Sequence, residues 1–497
     1  MTRAVIALLA ALFAADCVAA ARLDLMPDEA FFWMCSRRLA WGYTDHTFMT
    51  PLLVRAGSEV FGANPFGARF AFVVASTLIP LAVYLLARPL GSRRDALLAA
   101  GLAAIVPGMP RLIALGDVPL LLFAGLALAA LERATRTEER SAWLACGAST
   151  GLALAAHYRA LPMLLGFALY LTWTPRGRAQ WRSPGLWLAA ALALAGALPW
   201  LAWNAAHGFA SLRYQLWERH TGGFALAGLT DHLRLQAIAL TPPLYLALLG
   251  TLAALLRRAA RGDDRAALYA SFSLAYLGAF LLASTWADRE HVSLHWPMPG
   301  YLPLLAVLPG ELRAFVAARP STLRKVAVAA VPGVALVATA LLHLELATGI
   351  LGTRERERAF GGWSAGVAAV RDALPALPKQ PDGRWLVVVD SYPLAGNLEL
   401  WLGDAIRVEV LDHPKHAEYG RALQLRLWGL DEASLAARAG ETALVALDRN
   451  QSRSHAWPAW LAHAGSRFAD WREIAEVEAD GRRGRGPRFW LYRGVVR

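Results

Sequence analysis

Eleven runs of predominantly apolar residues, separated by short polar stretches, fill the first 349 positions of this 497-residue chain. They lie near 4–21, 67–87, 95–108, 117–131, 142–156, 161–173, 186–203, 233–256, 267–285, 297–312 and 326–349. A helix needs about 20 apolar residues to cross a bilayer. In lipid a segment must also satisfy its own backbone hydrogen bonds, which favours helices. The expected architecture is therefore a mainly α, polytopic transmembrane bundle of about 11 spans, with the runs near 95–108 and 161–173 short enough to be tilted or re-entrant. Only 18% of the residues are charged, against about 25% in soluble domains. The start, MTRAVIALLAALFAADCVAA, resembles a signal peptide. With so many spans following, it reads as an uncleaved first helix, cleavage being the alternative.

A net charge of +12 raises the question of nucleic acid. The basic residues argue against it, because they form no single face. With the N-terminus inside, the inner loops are 88–94, 132–140, 175–182, 257–265 and 313–325, each with at least three basic residues. The outer connections are 22–66, 108–116, 157–160, 204–232 and 286–296, of mixed charge. This alternation is the positive-inside pattern. It puts a cytoplasmic N-terminus and every unusual polar cluster on opposite sides.

After Gly349 charged residues become frequent. RWLVVVD (384–390), TALVALD (442–448) and FWLYRGVV (489–496) read as strands, with amphipathic helical stretches between them. Residues 1–349 are expected to form the transmembrane domain and 350–497 a small α/β domain outside the membrane. The three cysteines, Cys17, Cys35 and Cys146, show neither metal spacing nor a disulfide framework.

The polar clusters each allow two readings. In MPDEAFFW (26–33), Asp28 and Glu29 follow Pro27 at a helix start, where carboxylates cap and suit the dipole. A carboxylate at the membrane surface also serves as a general base or metal ligand. Phe31, Phe32, Trp33, Trp41 and Tyr43 are spaced as on helices lying in the interface. Asp45-His46 is either a surface turn or part of the same cavity. Asp117 is a cap beside Pro119, or a cavity carboxylate entering an apolar run. Arg159 of His157-Tyr158-Arg159 is an interfacial anchor or a fork for phosphate. The 286–296 loop holds Glu290, His291 and His295 between two tryptophans. Taken together, carboxylates, histidines and arginines at one face suit an enzyme on lipid-linked substrates, or a transporter or flippase of lipid-linked sugars. Transporters usually carry repeats and broken helices, and no repeat is visible. An outer binding module on a membrane anchor is the third reading; eleven spans exceed what an anchor needs.

The stretch MPDEAFFWMCSRRLAWGYTDHTFMTPLL resembles the first outer loop of bacterial polytopic GT-C type glycosyltransferases. The similar branch includes protein O-mannosyltransferases, lipid A aminoarabinose transferase and the transferases that add galacturonic acid to lipopolysaccharide. GDVPLLLF at Asp117, AHYRALPML at His157, HGFASLRYQ at 207–215, HWPMPGYL at 295–302 and GWSAGVAAVRDAL extend the likeness over nearly the whole chain. In place of the branch's Tyr-Tyr and Pro-Pro stand Phe31-Phe32 and Thr47-Phe48.

The resemblance implies an enzyme of the bacterial inner membrane with a periplasmic C-terminal domain. It implies a polyprenyl-phosphate-linked sugar as donor and a lipid, glycan or protein hydroxyl as acceptor, with inversion by single displacement. Asp28 matches the catalytic Asp, Glu29 its supporting neighbour, and Asp117 a second acidic position. His157 and Arg159 fall where relatives often carry Lys for the donor phosphate. Asp45, His46, Glu290 and His295 would line the substrate cavity. Some relatives use a divalent metal ion, for which Asp28, Asp117 and His46 are the candidates here.

Overall fold

The computed structural model describes residues 1–219, 223–286, 294–452, 454–478 and 488–497. Its first helices are α1 (Thr2–Arg22), α2 (Pro27–Arg37), α3 (Met49–Phe61), α4 (Pro65–Ala87), α5 (Arg93–Ala104), α6 (Asp117–Thr137), α7 (Arg140–Ala156) and α8 (Leu161–Trp173). Among the described residues, eight helices are long and apolar enough to cross a membrane. The chain is a multi-pass membrane protein. Three of the eleven apolar runs form shorter helices instead: α5, α7 and α8 have 12, 17 and 13 residues. At about 1.5 Å per residue they fall short of a hydrocarbon core of roughly 30 Å. The run near 233–256 is split. Ala227–Leu240 and Pro242–Ala260 meet at Thr241, whose φ is +68°. Pro242 and Pro243 offer no N–H to continue the first helix.

The first helix is built into the bundle. Asp16 of α1 is fully buried and accepts from Arg111 at 2.9 Å, while His343 Nε2 lies 2.9 Å from its other oxygen. A buried carboxylate in a span needs such partners. This triad ties α1, the segment between α5 and α6, and the Thr322–Thr348 helix together.

The C-terminal part forms a five-stranded mixed sheet: β1 (Trp385–Val389), β2 (Ile406–Val410), β3 (Thr442–Asp448), β4 (Phe468–Glu478) and β5 (Arg488–Val496), in the order β2-β1-β3-β5-β4. β1 pairs in parallel with β2 and β3, and β5 runs antiparallel to both of its neighbours, β3 and β4. β1 alternates between two cores: Val387 and Val389 face one, Leu386 and Val388 the other. The strands expected from sequence are β1, β3 and β5; β2 and β4 are the two edges.

This sheet layer sits on α2. Met34 of α2 belongs to the same core cluster as Val387, Val408 and Leu444. The helix Tyr392–Leu402 crosses α2 at Gly396, where a Cβ would run into the Ala30 carbonyl. The aromatic run is thereby covered. Phe31, Phe32 and Tyr43 are fully buried and Trp33 nearly so, while Trp41 alone stays exposed at 64%. Four of the five aromatics expected to face the lipid interface thus face protein: Phe31 and Tyr43 pack against Tyr392 of the C-terminal part, and Phe32 and Trp33 against Val54, Phe72 and Val118 of the bundle.

Candidate active site

Pro27 starts α2, and Asp28 and Glu29 occupy its first turn. Their side chains part company there. Glu29 turns into the bundle, where Arg69 of α4 holds both of its oxygens, at 2.7 and 2.5 Å. The backbone N–H groups of Ala114 and Met26 donate to it at 2.8 and 3.0 Å. Arg69 spends its remaining donors on the carbonyls of Ala20, Leu23 and Asp24. Both side chains are 0% exposed. A buried ion pair with every hydrogen bond satisfied fixes geometry. Glu29 therefore positions the first turn of α2 and does not reach the cavity.

Asp28 points the other way and keeps 42% of its side chain exposed. Arg421 donates to its Oδ1 at 2.9 Å and also pairs with Asp45. The guanidinium lies 3.8 Å from the Phe31 ring centroid, beside Tyr392. Arg421 follows the short helix Pro414–Glu418 of the C-terminal part. It is nearly buried, at 3% exposure. Asp45 also lies 3.0 Å from His46 Nε2. Burial pushes the His46 imidazole down to about 3, so it is neutral near pH 7.

A second cluster sits at the outer ends of the spans. Asp117, at the start of α6, receives Arg159 at 2.6 Å and has His295 at 3.3 Å. The Arg159 guanidinium also lies 2.7 Å from His157 Nε2. Arg159 and Arg219 flank the Trp296 ring, at 4.9 and 5.1 Å from its centroid. Arg219 donates only to neutral groups among the described residues, the Tyr158 hydroxyl and the Gln215 side chain, both at 3.2 Å.

The two clusters meet. The rings of His46 and His157 are 5.6 Å apart. Gln215, partner of Arg219, donates to the Asp45 carbonyl at 3.0 Å. His46 feels the charges of Asp28, Asp117, Arg159 and Arg219, and Arg219 feels that of Asp28. The Thr47 hydroxyl donates to the Ala156 carbonyl at 2.8 Å, tying the loop to the end of α7. A proline at that position has no such donor.

The structure thus gathers Asp28, Asp45, His46, Asp117, His157, Arg159 and His295 into one connected polar cluster. Glu290 lies outside the described residues. The candidate metal set does not assemble: among the described residues no three His, Cys, Asp or Glu side chains are grouped to hold an ion. Asp28 and Asp117 face guanidiniums and His46 faces Asp45. Cations already occupy the places of a divalent ion, and no step is derived through one. Sequence reasoning missed Arg69, Arg219 and Arg421. Arg69 carried a signal, a charge inside an apolar run that demands a partner. Arg421 lies 393 residues from Asp28 and carried none.

Residues 45–203 match the family described as dolichyl-phosphate-mannose-protein mannosyltransferase. The fold is shared with solved membrane-protein structures. The crystal structure of ArnT from Cupriavidus metallidurans in the apo state superposes with a TM-score of 0.68, at 15% identity, over 99% of this chain and 98% of that one. An oligosaccharyltransferase from Archaeoglobus fulgidus gives a TM-score of 0.54 at 12% identity, over 94% of this chain and 72% of that one. Among curated proteins, the lipid A galacturonosyltransferase RgtD of Rhizobium johnstonii is 26% identical over 56% of this chain. That match spans 59% of the relative's own length.

Proposed function

We propose that this GT-C chain is an inner-membrane glycosyltransferase. It moves a sugar from a polyprenyl-phosphate donor to a hydroxyl of an envelope lipid, glycan or protein on the periplasmic face. The observation that carries this reading is an exposed carboxylate, Asp28, in the same polar cluster as two guanidiniums, Arg159 and Arg219, of which Arg219 has only neutral hydrogen-bond partners among the described residues. A half-buried cation with no ion-pair partner among the described residues favours an incoming phosphate. The name of one relative, a lipid A galacturonosyltransferase, supports a lipid acceptor, and the description of the matched family a protein one.

The steps follow from these positions. Asp28 takes the proton of the acceptor hydroxyl while Arg421 fixes its orientation through Oδ1. The hydroxyl oxygen bonds to the anomeric carbon as the bond to the lipid phosphate breaks. Arg159 and Arg219 hold the departing phosphate, stabilising charge that grows as the bond breaks. Asp117 holds Arg159 in place from beneath. Single displacement inverts the anomeric carbon.

Mass spectrometry of envelope lipids and glycans from a clean deletion strain and its complemented parent tests the proposal. The expected result is one missing sugar mass, restored by complementation, which names donor and acceptor class. Unchanged envelope masses beside an altered transbilayer distribution of a lipid-linked sugar would overturn it in favour of transport.

A further inference from the structure

A second cavity, of about 280 Å³, lies at the far end of α2, between that helix and the edge strand β2. Five arginines line it: Arg37 and Arg38 from the end of α2, and Arg384, Arg407 and Arg438 from the sheet layer. Three carboxylates line it too, and each is taken by one arginine. Arg38 grips Glu399 with two bonds of 2.6 and 3.0 Å. Arg37 holds Asp404 at 2.7 Å, and Arg438 holds Glu409 at 2.8 Å. Arg384 forms no ion pair among the described residues. Arg407 reaches only Asp382, at 3.5 Å, outside the lining. Arg384 therefore remains without a counter-charge, and Arg407 is held only loosely, from outside the lining. Trp428 supplies an aromatic wall, with the Arg38 guanidinium 5.3 Å from its ring centroid.

This combination reads a particular chemistry. Guanidinium forks match phosphate and carboxylate oxygens. An indole face packs against the C–H face of a sugar ring, and tryptophan keeps such a surface rigid. The volume is at the small end of ligand pockets, about 300–1,000 Å³. It fits one sugar with its charged substituent and excludes acyl chains. Position supplies the remaining argument. Asp28 stands in the first turn of α2 and Arg38 immediately after its last. Ten residues at about 1.5 Å each separate them by roughly 15 Å. The helix links the reacting carboxylate to the charged cavity over the reach of a short oligosaccharide.

We propose that this cavity is an acceptor subsite for an anionic sugar, one carrying a phosphate or carboxylate group. The anionic sugar docks among Arg384, Arg407 and Trp428, and a different sugar of the same acceptor presents its hydroxyl at Asp28. This rests on the reading of Asp28 as the end at which the acceptor reacts. The consequence is selectivity: acceptors without a negative charge at that spacing are poor substrates.

The test uses the purified full chain in detergent and the double variant Arg384→Gln/Arg407→Gln, with thermal unfolding as the check on folding. Both arginines are exposed and lie outside the cavity at Asp28. The probes for calorimetric titration are glucose 1-phosphate, glucuronate, glucose and inorganic phosphate. The expected result is binding of the two anionic sugars to the native chain and a loss of about tenfold or more in the double variant. Glucose should bind neither protein. Equal binding of the anionic sugars to both proteins would overturn the proposal and assign those anions to Arg159 and Arg219. Inorganic phosphate binding as tightly as glucose 1-phosphate would also overturn it, since the sugar would then not be read. In a transfer assay the double variant should raise the acceptor KM and leave the donor KM unchanged. If the native chain transfers nothing, the glycosyltransferase reading fails, while the titration still decides the subsite.

Discussion

Asp28 and Glu29 are consecutive, carry the same charge and share one helical turn, yet their surroundings are opposite. Successive helix positions point about 100° apart, at 3.6 residues per turn. That rotation sends Glu29 into the bundle, where it collects four hydrogen bonds, two from Arg69 and one each from Ala114 and Met26. It sends Asp28 to the mouth, where Arg421 takes one oxygen and 42% of the side chain stays exposed. A carboxylate whose lone pairs are all engaged stabilises a fold. A carboxylate with an accessible oxygen is available to receive a proton. On the proposed function, the acidic pair is thus one structural residue and one base with a free oxygen.

The largest effect expected from this contrast is on folding. Arg69→Met strands the Glu29 charge in the bundle and should lower stability by about 3–5 kcal/mol. Unfolding in detergent would read it, and native-like stability would erase the distinction between the two carboxylates. Arg421→Gln acts at the mouth. It frees Asp28 of one charge-assisted bond of about 1.5–3 kcal/mol, which should lower kcat roughly 10- to 100-fold, and leaves the buried Asp45 with His46 alone, which should lower stability while the folded state is retained. Loss of the fold instead would make Asp28 a second structural residue.

A third carboxylate sharpens the comparison. Asp390 of the sheet layer is as buried as Glu29 but has no guanidinium. It accepts from the Asp448 N–H and the Trp460 indole, both at 2.8 Å. Burial pushes it up to about 8, with the neighbouring Asp448 adding to the rise. A folded-state pKa above the unfolded value favours the protonated form. Its contribution is fully present below about pH 4 and is lost as pH rises towards 8, at a slope of at most about 1.4 kcal/mol per pH unit. His413 and His416, pushed down by burial to about 4 and about 3, act in the opposite sense. Their contribution is present above about pH 6.5 and falls as the solution is acidified. Asp390→Asn should flatten the alkaline limb of the stability profile and leave the acid limb. The smallest effect expected is Thr47→Val, which removes one hydrogen bond to Ala156 and should cost about 1 kcal/mol. An unchanged melting temperature would show that the loop is held by its other contacts.

The sequence carried the bundle well, because apolar runs of spanning length leave few alternatives in lipid. It also marked the polar residues that converge: Asp28, Asp117, His157 and Arg159 each interrupt apolar surroundings. The two runs short enough in sequence to be tilted or re-entrant, near 95–108 and 161–173, are the short helices α5 and α8. The strands legible in advance are the inner β1, β3 and β5. The edges β2 and β4 carry charges, Arg407, Arg472 and Glu473 exposed as edge charges are and Glu409 buried against Arg438, and these break the apolar pattern. Arg421 was beyond reach for a different reason. Its role depends on a sheet layer folding back onto α2, which no local spacing encodes.

The central claim is that Asp28, and not its neighbour, performs the chemistry. The most direct measurement compares sugar transfer by purified, folded Asp28→Asn protein with the native chain, using a polyprenyl-phosphate sugar and the acceptor identified from the deletion strain. The account predicts a fall in kcat of about 10²–10⁴-fold, the range for losing a general base, with unfolding behaviour unchanged. Full transfer activity in a folded Asp28→Asn protein would contradict it and leave Asp28 as a helix cap.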